Sequence, residues 1–245
     1  MVGGAAAVLT TRRTAALAAV VAVLVAWDAG AGVLPDLGNR SDVLVIALLV
    51  LPVTFAVPWL ALPAVAWRWL PLTAAALVAL SVLFHLAGFG ALFNVTKLLA
   101  LTAVGFWFMT VFEALSWVVL VSLIIPWVDI LSVWRGPTEY IVSEQPGVFD
   151  RVSFAFRLPG EDGSANIGPP DILFFALFLA AADRFDLRVR ATWIAMVGLL
   201  AATLIATDAF DLTGLPALPA VCLGFLLPNA DRLWRAWRER GLEMS

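Results

Sequence analysis

The chain has 245 residues, of which 62% are hydrophobic and only 13% are charged, and its mean hydropathy is +0.98. Soluble domains carry about a quarter charged residues, so this composition indicates an integral membrane protein. The formal net charge of −3 argues against a nucleic-acid partner, and one cysteine and one histidine exclude a cysteine-rich metal site and His-x-x-x-His zinc chemistry.

Apolar segments follow one another along the whole chain. The first begins after Arg12 and Arg13 and is predicted to be an uncleaved span that reaches Leu34, with a signal peptide as the alternative. The second contains three prolines and is predicted to be kinked. The apolar stretch 91–134 is too long for one span of about 20 residues, so we divide it near Glu113. The predicted spans cover roughly residues 15–34, 43–67, 70–89, 91–113, 114–134, 169–182, 191–207 and 214–227.

These segments predict an all-α fold, a polytopic transmembrane helical bundle of about eight spans. When the loops are assigned to alternate sides, ten of the fifteen Lys and Arg residues fall on the side of the N-terminus. The positive-inside rule then predicts that both termini are cytoplasmic and that the polar segment 135–166 lies outside. The tail 231–240 alternates Arg with Trp and Leu, which predicts an interfacial helix.

Two aspartates stand at membrane depth, where an ionisable side chain is costly and is commonly functional. Asp129 precedes the outer end of the fifth span by about 7 Å, and Asp171 lies in the first turn of the next span. One loop joins these two helix ends, so we expect both carboxyl groups on the same side at a similar depth. Such a pair shares a proton, which lets one member activate a water while the other protonates a peptide carbonyl. A plainer interpretation stays open, in which Asp171 caps its helix and Asp129 pairs with Arg135 or points outward.

Three short motifs carry a resemblance to a known family. Val128-Asp129, followed by Gly136-Pro137, resembles the Tyr-Asp helix of presenilins and the start of the loop after it. Gly168-Pro169-Pro170-Asp171 resembles the Gly-x-Gly-Asp helix that presenilins share with signal peptide peptidases. Pro216-Ala217-Leu218 is similar to the Pro-Ala-Leu motif of the same family, and the three motifs occur in the family's order over residues 116–227.

The resemblance implies an intramembrane aspartyl protease with N-terminal transmembrane helices in residues 1–113 and a presenilin-like catalytic core in residues 114–245. It implies Asp129 and Asp171 as the catalytic residues, and Gly168 and Pro216-Ala217-Leu218 as residues that shape the site and contact substrate. The implied substrates are transmembrane helices of other proteins, including remnant signal peptides. Neither a metal nor an organic cofactor is expected, and the chain is expected to be a multi-pass protein of the plasma membrane, surrounded by lipid.

The sequence departs from the family at two positions, since Pro170 stands in place of the second glycine and Val128 in place of the tyrosine. An alternative of another class therefore stays open. The chain would then be a catalytically inactive presenilin-like protein that binds helices, or a small transporter. The oligomeric state is not indicated by the sequence.

Two further segments carry expectations. Residues 152–158 alternate bulky apolar with small or polar side chains, which predicts a half-exposed strand. We hypothesise that this strand and the backbone near Pro216 hold an unwound substrate beside the aspartates, because an extended peptide can pair with an open strand edge. The alternative is an ordered loop on the membrane surface. His85, without a partner histidine, is predicted to be a buried hydrogen-bonding residue.

Overall fold

The computed structural model describes residues 10–135, 151–161, 163–210, 212 and 216–243. This part of the chain is mostly helical and contains one two-stranded antiparallel sheet. The strands are β1 (Phe154–Arg157) and β2 (Ser164–Ile167). The α-helices are α1 (Thr11–Gly30), α2 (Asn39–Val45), α3 (Leu51–Ala61), α4 (Leu70–Leu86), α5 (Gly90–Met109), α6 (Leu115–Arg135), α7 (Pro169–Arg184), α8 (Val189–Ala209), α9 (Leu218–Leu226) and α10 (Ala230–Glu243).

In the described part of the chain, five helical segments are long and apolar enough to cross a membrane, and the chain is therefore a membrane protein built as a helical bundle. They are Thr11–Val33, Asn39–Ala66, Gly90–Met109, Leu115–Ser132 and Val189–Ala209. The three remaining predicted spans coincide with α4, α7 and α9, which have 17, 16 and 9 residues. The division near Glu113 is confirmed, because α5 ends at Met109 and α6 begins at Leu115.

The proline-rich second span is irregular, as predicted. It changes from α2 into a π-helical stretch, Ile46–Val50, then into α3 and finally into a 3-10 helix, Leu62–Ala66. Pro52 follows the π stretch and has no N–H to donate to the preceding turn. Pro63 occupies the second position of the 3-10 helix.

Helix α7, which carries Asp171, is almost completely enclosed by protein. Side chains from Phe175 to Ala182 have no exposed surface, and the helix packs against α3, α5, α8 and α9. Gly105 of α5 provides the closest approach, because a Cβ there would lie 2.4 Å from the carbonyl oxygen of Leu173. Helices from both halves of the chain therefore pack around the Asp171 helix.

The strand predicted in residues 152–158 is confirmed as β1, which pairs with β2 so that Phe154 lies opposite Ile167. Phe154 and Phe156 are buried, whereas Arg157 is exposed. The sheet packs against α1 and α5. Because successive side chains of a strand point to opposite faces, the apolar face of β1 packs against these helices.

The outer edge of β1 is bonded to side chains of two helices. The carboxamide of Asn94 donates to the carbonyl of Ala155 at 2.8 Å and accepts from its N–H at 3.0 Å, as a neighbouring strand would. Trp27 Nε1 donates to the carbonyl of Arg157 at 3.2 Å. The N–H and C=O of Ala155 and the C=O of Arg157, on this side of β1, are therefore already occupied.

A buried lysine holds the chain just before β1. Lys97 Nζ donates to the carbonyl oxygen of Arg151 at 3.1 Å and to that of Ser153, and its side chain is only 9% exposed. Asp28 accepts a 2.5 Å hydrogen bond from Asn94 on the same side of the sheet. Polar groups of α1 and α5 thus fix the sheet to the bundle.

The C-terminal helix α10 is anchored to the turn between α7 and α8. Arg188 Nη2 donates to Oδ2 of Asp231 at 2.8 Å, and the Arg188 N–H donates to Oδ1 of Asn229 at 2.9 Å. Trp234 and Trp237 are exposed on α10. This arrangement agrees with the amphipathic helix that the alternation of Arg with Trp and Leu predicts.

Candidate functional site

The first turn of α9 receives the carboxylate of Asp129. Ala217 precedes the helix, and its carbonyl accepts from the N–H groups of Ala220 and Val221. A helix start leaves its first N–H groups without partners inside the helix. Pro219 has no such group, and the N–H of Leu218 donates to Oδ2 of Asp129 on α6 at 3.1 Å. Asp129 is therefore directed into the bundle toward α9.

Asp171 lies in the first turn of α7 and folds back on the residue before the helix. Pro169 and Pro170 open the helix, where their missing N–H groups cost nothing. The N–H of Gly168 donates to Oδ2 of Asp171 at 3.0 Å, while the Asp171 N–H bonds back to the Gly168 carbonyl. A Cβ on Gly168 would lie 3.1 Å from Oδ2 of Asp171, so glycine makes this close approach possible. Asp171 thus does contribute to capping its own helix.

The two carboxyl groups lie within electrostatic range of each other. Both also lie within electrostatic range of Cys222, which follows Leu218 by one turn of α9. Helix α9 packs against both α6 and α7, which contact each other only weakly. The short helix α9 therefore lies between the two helices that carry the aspartates.

Among the residues that the structure describes, each aspartate is held through one oxygen only. Within the described part of the chain, both use Oδ2 to accept a backbone N–H, and no hydrogen bond is made by either Oδ1. Asp171 is 9% exposed and Asp129 is half-buried. Among the described residues, no Lys, Arg or His forms an ion pair with either one. The arrangement leaves one oxygen of each carboxyl group for a water or a substrate carbonyl.

The structure places the remaining predicted site residues around this pair. Ala217 caps α9, and Pro216 precedes it, half-buried. Pro170 is exposed at the second position of α7, and Val128 is 58% exposed on α6. The predicted Gly136-Pro137 lies outside the described residues.

Two expectations are corrected by the structure. The hypothesis that β1 offers an open edge to substrate is wrong, because Asn94 and Trp27 already occupy that edge. His85 is exposed instead of buried, and its ring lies 4.7 Å from the ring of Phe93. The polar residues that sequence reasoning missed are Asp28, Asn94 and Lys97, whose only signal was their position within apolar spans.

Comparison with known proteins found no match to the chain among family models, curated proteins or solved structures.

Proposed function

We propose that this chain is an intramembrane aspartyl endopeptidase of the presenilin and signal peptide peptidase type. It hydrolyses peptide bonds within transmembrane helices of protein substrates or within remnant signal peptides. One observation carries the proposal: Asp129 and Asp171 come from two different helices and lie within electrostatic range of each other, with Asp129 bonded to the first turn of α9. This neighbourhood holds Gly168 and Pro216-Ala217-Leu218, the other residues of the three motifs.

The chemistry follows from two carboxyl groups that share one proton. The ionised member takes a proton from a water, whose oxygen then attacks the scissile carbonyl carbon. The protonated member gives its proton to the carbonyl oxygen, which forms a tetrahedral diol. Collapse of the diol breaks the C–N bond as the carboxyl pair gives its proton to the leaving nitrogen. The pair regains a single proton from one diol hydroxyl, whose oxygen becomes the carbonyl oxygen of the new carboxyl group. Neither a metal nor an organic cofactor enters these steps.

Substrate must be unwound before it reacts, because the peptide bonds of a helix are shielded by their hydrogen bonds. We place the unwound stretch along β2, Gly168 and the Pro216-Ala217 backbone, since β2 leads directly into the residues that hold Asp171. This replaces β1 as the strand beside the substrate.

The proposal includes a plasma-membrane location and eight spans, with α4, α7 and α9 as the short ones.

Purified protein in detergent, incubated with a panel of transmembrane peptides, tests the proposal. We expect cleavage by the wild type and a loss of at least about 100-fold in Asp129→Asn and in Asp171→Asn. Asp183→Asn is the matched control, because Asp183 lies on the same helix as Asp171 and is exposed at its other end. Full cleavage by either dyad variant, or equal loss in the control, refutes the assignment.

A transition-state analogue of aspartyl proteases that carries a photoreactive group separates an enzyme from a helix-binding protein or a transporter. We expect labelling of the wild type and its loss in Asp171→Asn. Binding of transmembrane peptides without labelling or cleavage would instead favour the inactive helix-binding protein. Proton flux in liposomes without cleavage would favour the transporter.

A further inference from the structure

Three carboxyl groups other than the aspartate pair converge where the turn of the β1–β2 hairpin meets the N-terminal helices. They belong to Asp36 before α2, Asp42 in the first turn of α2, and Glu161 in the hairpin turn. One oxygen from each lies within 4.8 Å of the other two. Oxygens that bind one Ca²⁺ at about 2.3–2.6 Å are at most about 5 Å apart, so the cluster has the dimensions of a single cation site.

The central residue of this cluster is buried without a partner. Asp42 is 1% exposed, and among the described residues neither of its carboxyl oxygens has a hydrogen-bond partner. The charge of Asp36 repels that of Asp42. Within the described residues as a whole, no Lys, Arg or His forms an ion pair with any member of the cluster. A buried, unpaired carboxylate is costly, and a bound cation would remove that cost.

The backbone around the cluster is closely packed. Gly160 has a positive φ of +72°, and its N–H donates to the carbonyl of Ala31 at 3.0 Å. A Cβ on Gly160 would lie 2.4 Å from the backbone nitrogen of Asp36, so the hairpin turn is pressed against the segment before α2. Asp36 Oδ1 accepts from the N–H of Gly38 at 2.7 Å, which orients its carboxyl group. The two chain segments thus present their carboxylates at a fixed spacing.

We propose that Asp36, Asp42 and Glu161 bind a divalent cation, Ca²⁺, that joins the hairpin turn to the junction of α1 and α2. Carboxylate oxygens are the ligands that hard cations prefer, and Ca²⁺ accepts irregular sets completed by waters and carbonyl oxygens. Asp36 and Glu161 are exposed, so the ion has access to solvent. The predicted orientation places this end outside the cytoplasm, where sites with Kd of about 0.1–1 mM are common in extracellular modules.

The site has a structural role in this proposal and takes no part in proteolysis. Because β2 runs from the hairpin turn to Gly168, the cation stabilises the sheet that precedes Asp171. Binding and thermal stability therefore report on the site without any substrate, and the cation proposal does not depend on the proposed protease activity.

Titration calorimetry and thermal unfolding in detergent test the site, with Ca²⁺ added to protein stripped by a chelator. For a Kd of about 1 mM, about 10 mM CaCl₂ should raise the Tm of the wild type by roughly 3–6 °C. Asp42→Asn should abolish the shift and should raise the Tm of the cation-free protein, because it removes an unpaired buried charge. Glu161→Gln, at an exposed position, should weaken binding at least about tenfold without altering the cation-free Tm.

Asp183→Asn is the control for a general effect of surface charge, and Asp171→Asn separates this site from the aspartate pair. Both should keep the Ca²⁺ shift of the wild type. The proposal is overturned if Ca²⁺ produces no heat of binding and no Tm shift in the wild type. It is equally overturned if Asp42→Asn and Glu161→Gln respond to Ca²⁺ as the wild type does.

Discussion

The backbone N–H of Leu218 donates a 3.1 Å hydrogen bond to Oδ2 of Asp129, and this bond joins the start of α9 to the C-terminal third of α6. It connects two motifs that are 89 residues apart in the chain. The N-terminus of α9 also directs its partial positive charge at the carboxylate. The Pro-Ala-Leu segment therefore positions one of the two aspartates through a backbone group.

Substitution at Asp129 separates its structural role from its chemical role. In Asp129→Asn the amide oxygen can still accept from the Leu218 N–H, so we expect a folded protein without cleavage activity. Asp129→Ala leaves that N–H without a partner, which should lower the free energy of unfolding by about 1–3 kcal/mol. Thermal unfolding in detergent should give a lower Tm for Ala than for Asn, and equal Tm values would contradict the hydrogen bond.

Gly168→Ala tests the close approach of the Asp171 carboxyl group. The added Cβ would lie 3.1 Å from Oδ2 of Asp171 and should displace the carboxylate, so we expect cleavage to fall by about tenfold or more. Gly198→Ala is the matched control, because a Cβ at this position in α8 meets nothing within 4 Å. That control should keep its activity and gain up to about 1 kcal/mol of stability from helix propensity. Unchanged kinetics in Gly168→Ala would show that the contact is unimportant.

Asn94→Ala should loosen β1 from α5. The change leaves the N–H and C=O of Ala155 without their side-chain partner, at a cost of about 2–4 kcal/mol for the two groups together. Hydrogen exchange measured by mass spectrometry should be faster in peptides that contain Ala155, and Tm should fall. Thr73→Ala serves as the control, because among the described residues the Thr73 hydroxyl bonds only to the carbonyl of Trp69, one turn earlier. Equal protection of Ala155 in both variants would contradict the anchoring role.

The pair of Arg188 and Asp231 predicts a pH dependence at the C-terminal helix. The hydrogen bond from Arg188 lowers the pKa of Asp231 to about 2, below its unfolded value of about 3.9. A carboxyl group with a lowered pKa stabilises the fold above its unfolded pKa, and this contribution is lost as the pH falls from about 4 to 2. The difference in Tm between wild type and Asp231→Asn should therefore shrink over that interval. A constant difference would contradict the pairing.

The apolar segments and the position of both aspartates could be predicted from the sequence because hydrophobicity and helix length are local properties. The alternating pattern around Phe154 and Phe156 likewise predicted β1, since a strand that buries one face has a period of two. The sequence also placed Asp129 and Asp171 on the same side, because a single loop joins their helices. What it left open was the direction of each carboxyl group.

Contacts between distant parts of the chain lay beyond sequence reasoning. Nothing local to Asn94 or Lys97 shows that their polar groups bond the backbone of residues 151–155, so the β1 edge was expected to be open. The convergence of Asp36 and Asp42 with Glu161 likewise depends on how the hairpin folds against the α1–α2 junction. Polar groups at membrane depth indicated that partners exist, but only the fold shows which ones.

The weak contact between α6 and α7 has a mechanical consequence. Helix α6 is attached to the bundle chiefly through α9, a segment of nine residues. A small tilt of α9 would carry Asp129 toward or away from Asp171, which the enclosed helix α7 holds in place. The separation of the two carboxyl groups is therefore adjustable from the periphery, and a molecule bound beside α9 would change that separation without touching either aspartate.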